Sequence, residues 1–262
     1  MRFAASADAY DRFMGRYSVG LAPSFADFAG VAPGQHVLDV GCGPGALTTE
    51  LVKRLGASSV AAVDPAEQFA AAARERHPGV EVQVAAAERL PFDDGRFDAA
   101  LAQLVVHFME DPVRGLAEMA RVTRDGGVVA ACVWDHAGKQ SPLAPFWDAV
   151  HELDPNAPDE SRMAGGHQGH LTELTTEAGL TDVAEEALPV LVEHDTFAEW
   201  WEPFVLGVGP AGAYLESSRH VIVRPPCVLA AWPSSVRGRS RSRLASGLRE
   251  GTSVAVSARL RE

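Results

Sequence analysis

The sequence has few cysteines and no long apolar run. Cys42, Cys132 and Cys227 stand at wide spacing, which fits neither a disulfide framework nor a zinc pattern. No apolar run approaches the ~18–20 residues that span a bilayer. The N-terminus, MRFAASADAYDRF, carries Asp8 and Asp11 and lacks the apolar core of a signal peptide. We therefore expect a cytoplasmic protein with no membrane partner.

Basic charge is scarce and unevenly placed. The chain holds 23 Lys+Arg against 35 Asp+Glu, a formal net charge of −12. A nucleic-acid binder needs a basic face that displaces condensed counterions, so we expect no nucleic-acid partner. Residues 1–216 carry 14 of the basic and 33 of the acidic residues, whereas residues 217–262 carry 9 Arg and 2 Glu. The acidic character therefore belongs to the first part of the chain.

The order of apolar runs indicates an α/β fold. A chain of 262 residues with 47% hydrophobic residues suits one large domain. Strand-like runs alternate with helical patterns, which predicts a parallel sheet with right-handed crossovers. Residues 136–170, rich in Gly, Pro and Asp, are predicted to be an irregular insertion. The predicted strands are 36–40, 59–63, 80–84, 97–103, 128–134 and 183–192, and the predicted helices are 46–55, 66–76, 112–122, 171–178 and 197–206.

The strongest local signal is the segment VLDVGCGPG at 37–45. An apolar strand runs into Gly-x-Gly-x-Gly and then into a helix, so a ligand can approach the backbone at the strand's carboxyl end. Asp64 ends the second strand, where a carboxylate can accept bonds from ribose hydroxyls. The alternative role of Asp64 is a helix cap ahead of Pro65. Asp39 lies inside an apolar strand and either organises the glycine turn or meets a cationic ligand group.

These motifs resemble the class I S-adenosylmethionine-dependent methyltransferases, in particular the small-molecule branch often labelled type 11. The resemblance covers roughly residues 10–135 and includes VDPAEQF at 63–69, AAAERLPFDDGRFDAALAQLVVHFMEDP at 85–112 and MARVTRDGGVVAACVWD at 119–135. It implies a Rossmann-like, doubly wound, mostly parallel seven-stranded sheet of order 3-2-1-4-5-7-6, with an antiparallel seventh strand. It also implies transfer of a methyl group from S-adenosylmethionine to a small-molecule acceptor.

The resemblance also implies roles for individual residues. Asp64 would hold the ribose of the cofactor, and the backbone of the glycine turn would face its methionine part, above Gln103. Family members commonly carry an acid at the position of Ala86, so adenine recognition would rest here on backbone groups or on Glu88. The implied cofactor-binding residues are Tyr10, Arg16, Asp39, Gly41, Cys42, Gly43, Asp64, Pro65, Ala87, Glu88 and Gln103.

The N-terminal segment AYDRFMGRYS at 9–18 is similar to a helix that covers the cofactor in this branch. Tyr10, Arg16 and Tyr17 are candidates to close the site. The alternative is ordinary helix packing, because Tyr10, Phe13, Met14 and Tyr17 follow i, i+3, i+4, i+7 spacing. The two roles are compatible.

His107 is the candidate catalytic residue. It follows the fourth strand, and a histidine with a pKa near neutrality can accept a proton from a hydroxyl. The alternative is a structural histidine. His167 and His170 have metal-ligand spacing but no evident third ligand, so we expect no metal. Cys42 has no nucleophile–base partner and is interpreted as a small packing residue.

Aromatic residues of the second half are candidates to bind the acceptor. Together with the insertion at 136–170, they would form an apolar pocket for a planar or lipophilic molecule, or else they belong to the core that covers the sheet edge. The sequence does not identify the acceptor atom. The residues are Trp134, Phe146, Trp147, Trp200 and Trp201.

Two other functions remain open. An NAD(P)-dependent oxidoreductase would carry Gly-x-Gly-x-x-Gly, but Ala46 follows Gly45 here, and alanine is sometimes accepted at that position. A protein that binds the cofactor without catalysis would keep the same glycine turn.

The C-terminal region differs in composition from the rest. SSVRGRSRSR at 234–243 is rich in arginine and serine, and the chain has 21 Arg but only 2 Lys. We predict a methyltransferase domain over 1–216 and an atypical basic tail over 217–262. The tail is either a frame-shifted end or an unusual natural segment, with nucleic-acid binding as the functional alternative. VAVSARL at 254–260 alternates and is a candidate for the last strand.

Overall fold

The structure is a computed structural model that describes residues 6–194, 196–217 and 251–260. Seven strands form one sheet in the order β3-β2-β1-β4-β5-β7-β6, as predicted. The strands are β1 (Val37–Val40), β2 (Val60–Asp64), β3 (Glu81–Val84), β4 (Phe97–Gln103), β5 (Thr123–Trp134), β6 (Thr181–Val190) and β7 (Gly251–Arg259).

Helices cover both faces of this sheet. Side chains alternate along β1, so Leu38 and Val40 pack with Leu116 and Leu171 on one face. Val37 packs on the other face with residues of the N-terminal helix and the helix after β1. The α-helices are α1 (Ala7–Tyr10), α2 (Arg16–Phe28), α3 (Ala46–Leu55), α4 (Glu67–Arg76), α5 (Pro112–Val122), α6 (Ala144–Leu153), α7 (His170–Glu177), α8 (Phe197–Trp201) and α9 (Gly209–Ser217).

The chain begins with one long helical run. A π-helical segment, Asp11–Gly15, joins α1 to α2, and the residues at both junctions keep right-handed helical backbone. Such π-helical insertions are frequent at functional sites. The run lies near the carboxyl ends of β1 and β4, since Tyr10 is close to Gly43 and Gln103 donates to the carbonyl of Ser18. None of the described helices is both long enough and apolar enough to cross a membrane.

The last strand confirms the prediction at 254–260. β7 lies antiparallel between β5 and β6, with Val256 opposite Ala131 on β5 and opposite Glu185 on β6. Val254, Ala255 and Val256 are buried, so β7 contributes to the core on both faces. The segment 234–243 lies outside the described residues, and the domain boundary near residue 216 stays a prediction.

Three predictions of local structure were wrong. β5 starts at Thr123 rather than 128, because Thr123 already pairs with Phe97 ahead of a register shift that accommodates the glycines. The insertion 136–170 is not wholly irregular but contains α6, whose apolar face the flanking Gly and Pro concealed. The aromatic helix ends at Trp201 because Pro203 has no N–H to continue it, and a 3-10 turn follows.

Truncation of one β7 side chain tests whether this strand completes the core. Val256→Ala should lower the free energy of unfolding by about 2 kcal/mol, because Val256 is 1% exposed and leaves a cavity. Arg259→Ala, at an exposed position of the same strand, should change it by less than about 0.5 kcal/mol. Urea denaturation measures both variants. Equal effects of the two substitutions would contradict the placement of β7.

Candidate active site

The turn after β1 is built around glycine. Gly41 has a φ of 71°, and a Cβ there would lie 2.4 Å from Cγ2 of Val105, so no larger residue fits without displacement. The amides of Gly41 and Cys42 both donate to the carbonyl of Val63, at 2.8 and 2.9 Å. The turn is therefore fixed against the end of β2, at the carboxyl edge of the sheet.

Asp64 connects this turn to the start of α4. Its carboxylate accepts hydrogen bonds from the amide of Gly43 at 2.9 Å and from the amide of Ala66 at 2.8 Å. Burial raises the pKa of Asp64, and these two hydrogen bonds oppose the shift. The N-cap of α4 is Ala66, without a side-chain cap hydrogen bond, so Asp64 is not the predicted helix cap but holds the backbone just ahead of α4. It also lies beside the glycine turn, where the ribose of the cofactor is predicted.

Asp39 is buried behind the turn. Its carboxylate accepts a hydrogen bond from the hydroxyl of Thr48 on α3, at 2.6 Å. Burial raises the pKa of Asp39 to about 7, and the nearby Asp64 carboxylate adds to the shift, whereas the Thr48 hydroxyl opposes it. The contact with α3 fits the role of organising the turn. Direct contact of Asp39 with a ligand stays a prediction.

Tyr10 lies over the glycine turn. Its ring is 3.8 Å from the position that a Cβ on Gly43 would take, and its centroid is 5.2 Å from that of Phe69 on α4. Arg76 of α4 forms an ion pair with Asp11 in the π-helical segment. The N-terminal helix therefore covers the turn, whereas its predicted cover of the cofactor stays a prediction. Its packing role is present because Phe13 and Tyr17 are buried.

Arg16 and Tyr17 make different contacts from those of Tyr10. Arg16 lies 2.9 Å from Nδ1 of His194 and 3.5 Å from the carboxylate of Glu199. The hydroxyl of Tyr17 lies 3.1 Å from Nε2 of His194. Both side chains tie the N-terminal helix to the segment between β6 and α8. Because these contacts of Arg16 lie away from the glycine turn, its role at the cofactor stays a prediction.

The end of β4 carries two buried polar groups without full hydrogen bonding. Gln103 donates to the carbonyl of Ser18 at 3.0 Å, but its Oε1 has no partner among the described residues. His107 is buried, and its Nδ1 also has no hydrogen-bond partner among the described residues. Burial, with the adjacent His136, lowers the pKa of His107 to about 3. His107 is thus less basic than its predicted catalytic role requires.

The other predicted site residues are dispersed around the turn. Cys42 packs against small residues of β2 and α4, and burial raises its thiol pKa well above the ordinary value, which fits a packing role. Pro65 is exposed and Ala87 is buried. Glu88 accepts from the amides of residues 110 and 111, at 2.8 and 3.2 Å, and so holds the chain ahead of α5.

An apolar cavity lies next to the turn, on the other side of Tyr10. Trp134 lines it, together with Phe13 and Leu104, and Leu104 has a left-handed φ of 60°. Glu160 is the one charged residue that lines the cavity among the residues the structure describes. Sequence reasoning missed Glu160, because a single acid in a polar insertion gives no signal. Of the predicted aromatic residues, Phe146, Trp147 and Trp200 are buried in the core, as the alternative interpretation states.

Comparison with known proteins agrees with this geometry. Residues 38–131 match the model of a methyltransferase domain family. These residues form a methyltransferase domain. The match confirms the family recognised from the sequence motifs, and the matched domain contains the glycine turn, Asp64 and β4.

The methyltransferase domain has curated relatives in actinobacteria. An uncharacterized methyltransferase of Mycobacterium tuberculosis is 36% identical over 135 residues, which are 52% of this chain and 52% of that protein. A demethylmenaquinone methyltransferase of Mycolicibacterium paratuberculosis is 43% identical over 103 residues, or 39% of this chain and 43% of that protein. The chain thus spans about half the length of the curated relatives it matches.

The fold is also found in solved structures. A phosphoethanolamine N-methyltransferase of Haemonchus contortus, in complex with S-adenosyl-L-methionine, aligns with a TM-score of 0.58 at 15% identity. The alignment covers 98% of this chain and 57% of that chain. At this identity the likeness establishes the shared fold.

The buried carboxyl group of Asp39 predicts a pH-dependent stability. Its pKa is raised in the folded state, so stability falls as pH rises from about 4 to about 7. Asp39→Asn cannot ionise, so its stability relative to wild type should rise by ~1–3 kcal/mol between pH 5 and pH 8. Urea denaturation at the two pH values measures the difference. Asp93→Asn, at an exposed acid, is the control. A difference that does not depend on pH would disprove the assignment.

Proposed function

We propose that the protein transfers a methyl group from S-adenosylmethionine to a small-molecule acceptor. The observation that carries the proposal is the arrangement around Tyr10. One side of the Tyr10 ring lies over the glycine turn bordered by Asp64, and the same ring lines the apolar cavity. A cofactor on the turn and an acceptor in the cavity would therefore lie on the two sides of Tyr10, and movement of this one side chain would bring them together.

The residues at the turn fit this cofactor. The absent Cβ of Gly43 faces the Tyr10 ring, so a cofactor that displaced this ring could approach the backbone closely, whereas the absent Cβ of Gly41 makes room for Val105. Asp64 would exchange its hydrogen bond with the Gly43 amide for the ribose hydroxyls. The unpartnered Oε1 of Gln103 is a buried acceptor that the methionine ammonium group would satisfy. Pro65, Ala87 and Glu88 stay predictions for the adenine side.

Methyl transfer of this kind depends mainly on alignment and on the exclusion of water. Bound S-adenosylmethionine supplies an electrophilic sulfonium methyl group. The protein aligns the acceptor with that methyl group and excludes water from it. Tyr10 and Phe13, on the helical run that covers the site, are placed to exclude water. The aromatic walls suit a planar or lipophilic acceptor, and the demethylmenaquinone methyltransferase among the relatives supports a small-molecule substrate.

Loss of the Asp64 carboxylate should weaken cofactor binding. Asp64→Ala should reduce the affinity for S-adenosylmethionine by about 1.5–3 kcal/mol, the range for hydrogen bonds to a charged group. Calorimetric titration measures this, and Asp93→Ala is the matched surface control. Thermal melting of both variants verifies that the fold is retained. Unchanged affinity in a folded Asp64→Ala protein would remove Asp64 from the ribose role.

The same titration separates the proposal from an oxidoreductase. Wild-type protein should bind S-adenosylmethionine and should not bind NADH or NADPH at comparable concentrations. Tight dinucleotide binding without S-adenosylmethionine binding would overturn the proposed function.

A further inference from the structure

Glu160 occupies an unusual position for an acid. It begins the 3-10 turn Glu160–Arg162 inside the insertion, and only 3% of its surface is exposed. Its carboxylate accepts a hydrogen bond from the indole N–H of Trp147, the one side-chain donor that bonds to it within the described part of the chain. Burial of a carboxylate without a cationic partner costs free energy, so a bound positive charge would stabilise Glu160.

The neighbouring groups in the described part of the chain do not supply that charge. Nδ1 of His136 is 4.0 Å from the carboxylate, but burial lowers the pKa of His136 to about 4, so the imidazole is neutral near pH 7. The next histidine, His107, has a ring centroid 6.0 Å from that of His136 and is also neutral. Asp159, the residue before Glu160, adds negative charge and raises the pKa of the Glu160 carboxyl.

The cavity provides the rest of an ammonium site. Tyr10, Phe13, Phe108 and Trp134 present aromatic rings to the space that Glu160 borders. Aromatic faces attract a cation, and this attraction strengthens when water is excluded. One carboxylate among aromatic walls is therefore the arrangement that recognises a protonated amine.

We propose that Glu160 binds the amino group of the acceptor, so that the cavity takes a small primary or secondary amine for N-methylation. This inference rests on the proposed function for the methyl donor, but amine binding by the cavity does not require the donor. The Tyr10 ring lies between the glycine turn and the cavity, so it would have to move aside for the amine to meet the predicted methyl group.

The chemical step balances with Glu160 as the proton acceptor. Glu160 takes one proton from the substrate ammonium, which frees the nitrogen lone pair. The lone pair forms the C–N bond while the C–S bond of the sulfonium breaks, leaving a neutral thioether and a methylated ammonium. Burial raises the pKa of Glu160 to about 7, which suits a group that takes and returns a proton near neutral pH.

The cavity is small, about 40 Å³, so the test compares ethylamine with its uncharged match, ethanol. Equilibrium dialysis measures the binding of each probe to the full chain, without cofactor, for wild type and for Glu160→Gln. Wild type should bind the amine more tightly, and Glu160→Gln should lose about tenfold or more of that affinity with unchanged alcohol binding. Glu152→Gln, at an exposed position of α6 in the same insertion, should behave as wild type.

The outcomes separate this inference from the proposed function. Equal binding of the two probes by wild type, absent amine binding, or an unaffected Glu160→Gln protein would overturn the role of Glu160. If Glu160→Gln does not fold, the preference of wild type for the amine decides. Titration with S-adenosylmethionine on the same preparations tests the donor site independently, so either claim can fail alone.

Discussion

The geometry of the site depends on the Asp64 carboxylate, which accepts hydrogen bonds from two backbone amides. One amide belongs to the glycine turn after β1 and the other to the start of α4, so a single side chain fixes two loops at the carboxyl edge of the sheet. The turn itself is held by two hydrogen bonds to the carbonyl of Val63, and Val105 packs closely against Gly41. Tyr10 covers the backbone of this turn, where a ligand would lie.

Two distant parts of the chain complete the framework. The N-terminal helical run covers the turn through Tyr10 and is tied to α4 by the Arg76–Asp11 ion pair. At the other end of the chain, β7 enters the sheet between β5 and β6 and buries residues on both faces. The acidic first part of the chain and the distant β7 strand therefore form one sheet, although their compositions differ.

Much of the fold could be predicted from the sequence, because apolar strands and glycine turns follow local rules. α3, β4 and α5 have the predicted bounds, and the segment 254–260 has the alternation of the strand it forms. The helix in the insertion was missed because Gly, Pro and Asp surround it. The contact of Arg16 with His194 was missed because the two residues are 178 positions apart.

The residues of the candidate site were likewise only partly predictable from the sequence. Asp64 and the glycines are recognisable because chemistry requires those residue types at those positions. Glu160 gives no such signal, because its surroundings come from the insertion, β5 and the N-terminal helix. The lowered pKa of His107 could not be predicted from the sequence either, because burial is a property of the packed chain and not of the local sequence.

Transfer of a labelled methyl group tests the central claim most directly. The protein is incubated with methyl-labelled S-adenosylmethionine and a panel of phenols, carboxylic acids and amines, and labelled products are separated by chromatography. The account predicts label in at least one small-molecule product, with stoichiometric formation of S-adenosylhomocysteine. Bound cofactor with no label in any acceptor would contradict it and would favour a protein that binds the cofactor without catalysis.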